Sequence, residues 1–348
     1  MSGEWRLVTV PFTLQLAHRF TLANSSRTTT PTLLVELHRD GIIGYGEAAM
    51  PPYLGEDQQT AAAFLARIDL RRFRDPFQTA AILAEVDAIA PGNTAAKAAF
   101  DIALHDWLGK AMGQPWYRVL GLDPGMAPRT SYTIGIHAPE IVRGLAREAS
   151  ARFSALKIKL GGEHDRAMIA AIREVCSTPI RVDVNQGWHD RAEALDRIGW
   201  LATQGVELVE QPLPADRVDD LAWLRERSPL PLVADEGVQR LGDVKAAVSV
   251  YDGINVKLMK CSGLREGRLM IELARALGLR VMLGCMTESS CAISAAAQLA
   301  PLVDWADLDG ALLVSNDPFT GADLVDGRIV PSDRPGIGAS PRTAAPPG

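Results

Sequence analysis

The segment ALKIK (155–159), the amphipathic stretch AMIAAIREV (167–175) and the apolar run IRVDV (180–184) make one complete βα unit and the start of the next. In the first and third, apolar residues alternate as in a short strand; in the second they recur at helical spacing. The pattern continues through VELVE (206–210), PLVAD (231–235), GINVK (253–257), VMLGC (281–285) and WADLD (305–309), and SYTIG (131–135) precedes it. The ends of these eight runs fall 22–28 residues apart, and each of the first seven precedes a helical stretch such as AEALDRIGWLA (192–202). Eight strand-like runs at one βα spacing predict a parallel (β/α)8 barrel of the TIM type, since a doubly wound sheet seldom needs so many.

Outside the barrel the texture changes. The N-terminus alternates from Trp5 onward, without a basic region and an apolar run, so it reads as a strand and not a signal peptide. TLLVELHRDGIIGYGEA (32–48) is two alternating runs joined at Asp40-Gly41, a hairpin signal. Helical periodicity then fills Phe77 to Gly121, broken at Pro91-Gly92-Asn93. Strands followed by helices predict an α+β domain over residues 1–128, attached to a barrel over 129–317. LVDGRIV (324–330) is a further Asp-Gly hairpin with no barrel position to fill; we expect residues 318–338 to return and pack on the N-terminal unit. The Pro/Ala-rich residues 339–348 are expected to be disordered.

Composition narrows the class. The 348 residues are 47% hydrophobic and 22% charged, close to a soluble average. With 36 Lys+Arg against 42 Asp+Glu and no basic block, nucleic acid and anionic membrane are poor partners. The longest uncharged stretch, Ser289–Val303, falls short of the ~18–20 residues of a membrane span. The four cysteines show no CxxC, which fits free thiols in a reducing, cytoplasmic setting. A homo-oligomer is left open. P-loop, GxSxG and HExxH motifs are absent.

In such a barrel, functional side chains sit at the C-terminal strand ends. Those ends carry Lys157 and Lys159, Asp183 and Asn185, Glu210, Asp235 and Glu236, Lys257, then Asp307 and Asp309. Asp183, Glu210 and Asp235 lie on three successive strands, and three converging carboxylates need a cation between them. Oxygen ligands without Cys or His favour Mg²⁺ over Zn²⁺. Lys157 and Lys159, spaced i, i+2, share a face; side by side, each is expected to depress the other's pKa and free an amine to act as a base. Lys257, four strands round, would face them across the metal, an arrangement suited to racemisation or epimerisation. Lys260 competes with Lys257 for that role.

The segments ALKIKL, RVDVNQGW, VELVEQPLP, VADEGV and GINVKLMKCSGL, with GYGEA and AFDIALHDWLGKAMGQPWYRVLG in the first third, resemble the enolase superfamily over about residues 5–338, and most closely its muconate-lactonising branch. The resemblance implies an N-terminal capping domain, Mg²⁺ held by Asp183, Glu210 and Asp235, and Lys159 and Lys257 as acid/bases with Lys157 tuning Lys159; a Lys base with Mg²⁺ is the general scheme of that superfamily. No His lies between Arg280 and Ser290, which disfavours the mandelate-racemase branch.

Asp307 and Asp309, i, i+2 on the eighth run, would repel a dianion and pair with an ammonium group. A DxD there resembles the dipeptide epimerases, in which it holds the substrate's amine. Thr133, on the first barrel run, is a further candidate substrate contact. HRFTLANSSRTTT (18–30) reads as a specificity loop in which Arg19 or Arg27 would reach a glutamate side chain, favouring L-Ala-D/L-Glu and murein recycling; Tyr53 and Leu54 would instead line an apolar pocket. The alternatives are an o-succinylbenzoate synthase or muconate cycloisomerase on the same site, and a metal-binding barrel without catalysis.

Overall fold

A computed structural model describes residues 3–22 and 25–342. Strands β1 (Arg6–Leu22), β2 (Ser25–Arg39) and β3 (Ile42–Ala49) form an antiparallel sheet in sequence order. Asp40 and Gly41 both take positive φ, the type I′ geometry that lets two residues join twisted strands. Helices α1 (Gln58–Leu65), α2 (Thr79–Ala88), α3 (Thr94–Met112) and the short α4 (Trp116–Val119) follow. The sheet lies directly on α3: a Cβ at Gly44 or Gly46 would come within 2.1 Å of the Ala103 or Ala99 carbonyl oxygen, so only glycine permits this approach.

The barrel strands are β4 (Tyr132–Ile134), β5 (Leu156–Lys159), β6 (Ile180–Asp183), β7 (Val206–Glu210), β8 (Leu232–Ala234), β9 (Gly253–Lys257), β10 (Arg280–Gly284) and β11 (Trp305–Asp307). They pair in parallel in chain order, and a Thr130–Ala306 bridge brings the first strand against the last. Helices α5 (Pro139–Ser150), α6 (Asp165–Arg173), α7 (Arg191–Thr203), α8 (Val218–Arg227), α9 (Val244–Ala247), α10 (Leu264–Ala276) and α11 (Ser290–Ala297) follow the first seven strands; only a 3₁₀ turn, Gly310–Leu313, follows the eighth. Inside, Leu208, Val233 and Met282, with Trp305 against them, form a small apolar cluster separate from the main core. Each lies two residues before Glu210, Asp235, Gly284 or Asp307, and therefore on the same face, so this cluster floors the barrel beneath the charged strand ends.

Buried acids of the N-terminal unit cap helices of the barrel. Glu47, on β3, accepts from the Ser289 (3.0 Å) and Ala292 (3.3 Å) N–H groups and from the Ser289 hydroxyl, at the start of α11. Asp101, on α3, accepts from the Leu264 N–H (2.6 Å) at the start of α10. Asp106 accepts from the Tyr45 and Ile337 N–H groups and from Lys110. Each satisfies helix-end or loop donors that burial would otherwise strand.

Two expectations for the C-terminus need correction. The hairpin of β13 (Asp323–Val325) and β14 (Arg328–Val330) packs beside the barrel's first strand, where the Gly327 carbonyl accepts from the Thr130 N–H (2.8 Å). It is the segment after it that reaches the N-terminal unit, through Gly336 to Trp116, Ile337 to Asp106 and Asp333 to Tyr117. Nor does disorder begin at 339. Ala339 is buried, and β15 (Ser340–Pro341) pairs with β12 (Phe319–Thr320), because Pro341 needs no N–H at that short edge. Residues 343–348 of the expected tail lie outside the described residues.

Asp101→Ala should lower the unfolding free energy by about 1–2 kcal/mol in a urea titration, the worth of a lost helix cap. Glu47 gives a pH signature. Burial outweighs its hydrogen bonds and pushes its carboxyl from 4.5 up to about 6. Between those values the folded state keeps a proton that the unfolded state has released, so this contribution is full below pH 4.5 and is lost as pH rises through 6. Relative to Glu47→Gln, the wild type should lose about 2 kcal/mol of stability across that window; parallel pH profiles of the two proteins would disprove it.

Candidate active site

Strand register lines up the charged ends: Lys159 pairs with Asp183 and Asp183 with Glu210, while Gly284 stands between Lys257 and Asp307. Asp183, Glu210 and Asp235 are buried, with one carboxylate oxygen from each within 4.8 Å of the others. Lysines enter from both flanks. Lys159 Nζ lies 2.6 Å from Asp183 Oδ2, and Lys257 Nζ lies 2.7 Å from Asp235 Oδ2. β5 and β9 are four strands apart, so the two amines stand on opposite sides of the acids.

Lys157 lies deeper, within 3.0 Å of Asp183, Glu210 and Asp307. Here the depression expected of Lys157 is not found. Burial does push the Lys157 ammonium down, but Asp307, Glu210 and Asp183 together outweigh it and hold the group well above its usual value. The three acids around it favour its charged form. Lys257 is also raised, Asp235 overriding the effect of burial.

The acids respond unequally. Against the cost of burial, Lys159 and Lys157 pull Asp183 down to about 2. Lys257 and Lys260 hold Asp235 far below the usual range in the same way. Burial and the charge of Asp183 push Glu210 up to about 7. Glu210 Oε2, although close to Lys157, has no aligned hydrogen-bond donor among the described residues. A buried all-oxygen triad with one orphaned acceptor suits a hard divalent cation.

Above the acids opens a cavity of about 290 Å³, lined by Lys157, Lys159, Asp235, Lys257, Asp307, Asp309 and Thr133 from the barrel and by Phe20, Arg27 and Tyr53 from the N-terminal unit. Asp183 and Glu210, both fully buried, do not line it. Asp307 accepts from Lys157 and from the Ser131 hydroxyl (both 2.7 Å). Asp309 accepts from the Thr133 N–H (2.6 Å) and hydroxyl (3.2 Å) and forms no ion pair among the described residues; burial and Asp307 push it up to about 7.

The segment expected as a specificity loop is strand on both sides. β1 and β2 extend as a two-stranded arm in which Phe20 pairs with Arg27. Strand alternation separates the two arginine candidates: Arg27 faces the cavity, its guanidinium 5.9 Å from the Phe20 ring, whereas Arg19 is exposed on the opposite face. Arg27 donates to the Thr287 hydroxyl (3.1 Å), its Nε is buried without a partner, and no carboxylate pairs with it among the described residues. Leu54 packs on the core instead of the cavity. Lys260 lies outside the cavity, fully buried.

Sequence reasoning missed Phe20, Met286 and Thr287. The last two follow β10 in the run CMTES, and their position at a barrel strand end was the available signal.

Comparison with known proteins agrees with this geometry. Residues 6–121 match the family described as mandelate racemase / muconate lactonizing enzyme, N-terminal domain, and residues 140–345 match that described as enolase C-terminal domain-like. The chain is 53% identical to an L-Ala-D/L-Glu epimerase of Bacteroides thetaiotaomicron, covering 97% of this chain and 88% of that protein. It is 38% identical to an L-Ala-D/L-amino acid epimerase of Pedosphaera parvula, covering 92% and 94%. A dipeptide epimerase from Cytophaga hutchinsonii, solved with Mg and the dipeptide D-Ala-L-Val, superimposes with a TM-score of 0.92 at 27% identity, over 99% of this chain and 97% of that one. Matched in both halves of its length, with opposed lysines flanking a carboxylate triad, the chain belongs to the mandelate racemase / muconate lactonizing enzyme family of enolase-like proteins.

Proposed function

We propose that the protein is a Mg²⁺-dependent dipeptide epimerase that inverts the Cα of the second residue, with L-Ala-D/L-Glu as its substrate. The observation that carries the reaction is the placement of Lys159 and Lys257 on opposite flanks of one carboxylate triad. Asp183, Glu210 and Asp235 would hold the ion. When bound, Mg²⁺ supplies the positive charge that stabilises negative charge developing on the substrate carboxylate. One lysine takes the α-proton from one face and the other returns a proton to the opposite face. Lys157 remains charged and neutralises Asp307, which leaves Asp309 as the acid available to the substrate's ammonium group.

The acidic side chain of the second residue is assigned to Arg27. A cavity-lining guanidinium that pairs with no carboxylate among the described residues and has an idle Nε suits an anionic side chain, and the 53% identical relative is named for a glutamate dipeptide. The uncompensated Asp309 disfavours the o-succinylbenzoate and muconate alternatives, since it would repel a dianion. Two opposed lysines disfavour a binding-only barrel. Four free cysteines suit the cytoplasm, where a murein-derived dipeptide would be recycled.

In D₂O with Mg²⁺, L-Ala-L-Glu should gain one deuterium at the glutamate Cα and yield both epimers, and EDTA should stop this until Mg²⁺ is restored. Lys159→Ala and Lys257→Ala should each slow epimerisation by about 10²–10⁴-fold, the range of a lost acid/base; two fully active variants would exclude the two-base scheme. Arg27→Met should reduce kcat/KM for L-Ala-L-Glu by about 10–100-fold, the worth of a charged hydrogen bond, while sparing L-Ala-L-Met. Equal losses on both dipeptides would remove Arg27 from specificity.

A further inference from the structure

Lys260 is excluded from the cavity, yet it is one of the largest fully buried side chains in the protein. Its Nζ donates to the Asp235 carbonyl (2.5 Å), Asp235 Oδ1 (2.7 Å), the Asn255 carbonyl (2.9 Å) and the Val238 carbonyl (3.0 Å). An ammonium group has three protons, so these four acceptors saturate it and leave nothing for a substrate.

The consequence falls on Asp235. Its N–H donates to Gln211 Oε1 (3.0 Å), and its carbonyl and Oδ1 are taken by Lys260. Only Oδ2 is left for the site, where the cavity-lining Lys257 donates to it. The other two acids follow the same plan. Asp183 Oδ1 accepts from the Asn185 N–H (3.0 Å), leaving Oδ2 to Lys157 and Lys159. Glu210 Oε1 accepts from Asn255 Nδ2 (2.7 Å), leaving Oε2 toward Lys157. Each acid thus has one oxygen held by a donor of the framework and one turned toward the lysines of the site. At Asp235 alone that framework donor is charged, and the Asn255 carbonyl ties it to the residue that holds Glu210.

We propose that Lys260 is a positioning residue for the metal centre: an internal ammonium that fixes the Asp235 carboxylate so that it offers a single oxygen, Oδ2, to the ion. This rests on the Mg²⁺ reading given above. It explains why a lysine, and not a neutral donor, stands behind this acid: removal of a group that orients a ligand commonly costs 10–100-fold in metal affinity.

The test is calorimetric titration of Mg²⁺ into the metal-free wild type, Lys260→Met and Lys260→Gln, with a cooperative melt as proof of folding. The folded variants should bind Mg²⁺ at least about 10-fold more weakly than the wild type. A lysine that only ties strand ends together would lower the melting temperature and leave the affinity within about twofold, and that result overturns the proposal while the Mg²⁺ reading stands. A wild type that binds no Mg²⁺ overturns both. Should neither variant fold, a crystal structure of the wild type with Mn²⁺ decides: Asp235 bound through Oδ2 alone, with Lys260 on Oδ1, supports the proposal, and a bidentate Asp235 or a displaced Lys260 overturns it.

Discussion

Three carboxylates can share a few ångströms of buried space only if positive charge is brought to them, and the rest of the structure follows from that demand. β5 delivers Lys157 and Lys159 from one side, and Lys257 and Lys260 come from β9 and the turn after it on the other. The parallel strands hold these ends in register, and the floor of Leu208, Val233 and Met282 keeps water from approaching beneath. Unpaired charge in such a place would be prohibitive. Even so, compensation is incomplete: burial and the charge of Asp183 push the Glu210 carboxyl up, and its Oε2 has no aligned donor among the described residues, which suits a centre that takes a further cation.

Much of this was legible before any coordinates. The repeating βα spacing predicts the barrel because parallel strands buried on both faces must be short apolar runs, and the acids and lysines ending those runs stand out against them. The i, i+2 rule places Lys157 with Lys159 and Asp307 with Asp309 on the cavity side. What could not be read was anything set by packing between distant segments. Spacing alone does not separate Lys257 from Lys260; only the turn after β9, which carries Lys260 beneath Asp235, does so. Nor does it show that Lys157 lies among three acids and is raised instead of lowered.

The arm of β1 and β2 makes the same point. The stretch 18–30 reads as a loop only by its place in the resemblance, whereas β1 and β2 pair through Phe20–Arg27 and Thr28–Thr30 are residues that favour strands. Once strand geometry holds, alternation decides which arginine reaches the cavity. The GYGEA motif, a feature of the family resemblance, has a physical explanation in the fold: two glycines admit a helix, and a glutamate caps another helix on the barrel.

Arg27 and Phe20 reach the cavity from a sheet that contributes none of the acids or lysines lining it. An exchange at the arm therefore alters the pocket's polarity while the acid–lysine pairs of the barrel strands stay in place. Proteins built this way can diversify what they accept by drift in one hairpin, and a new preference need not be accompanied by a new chemistry.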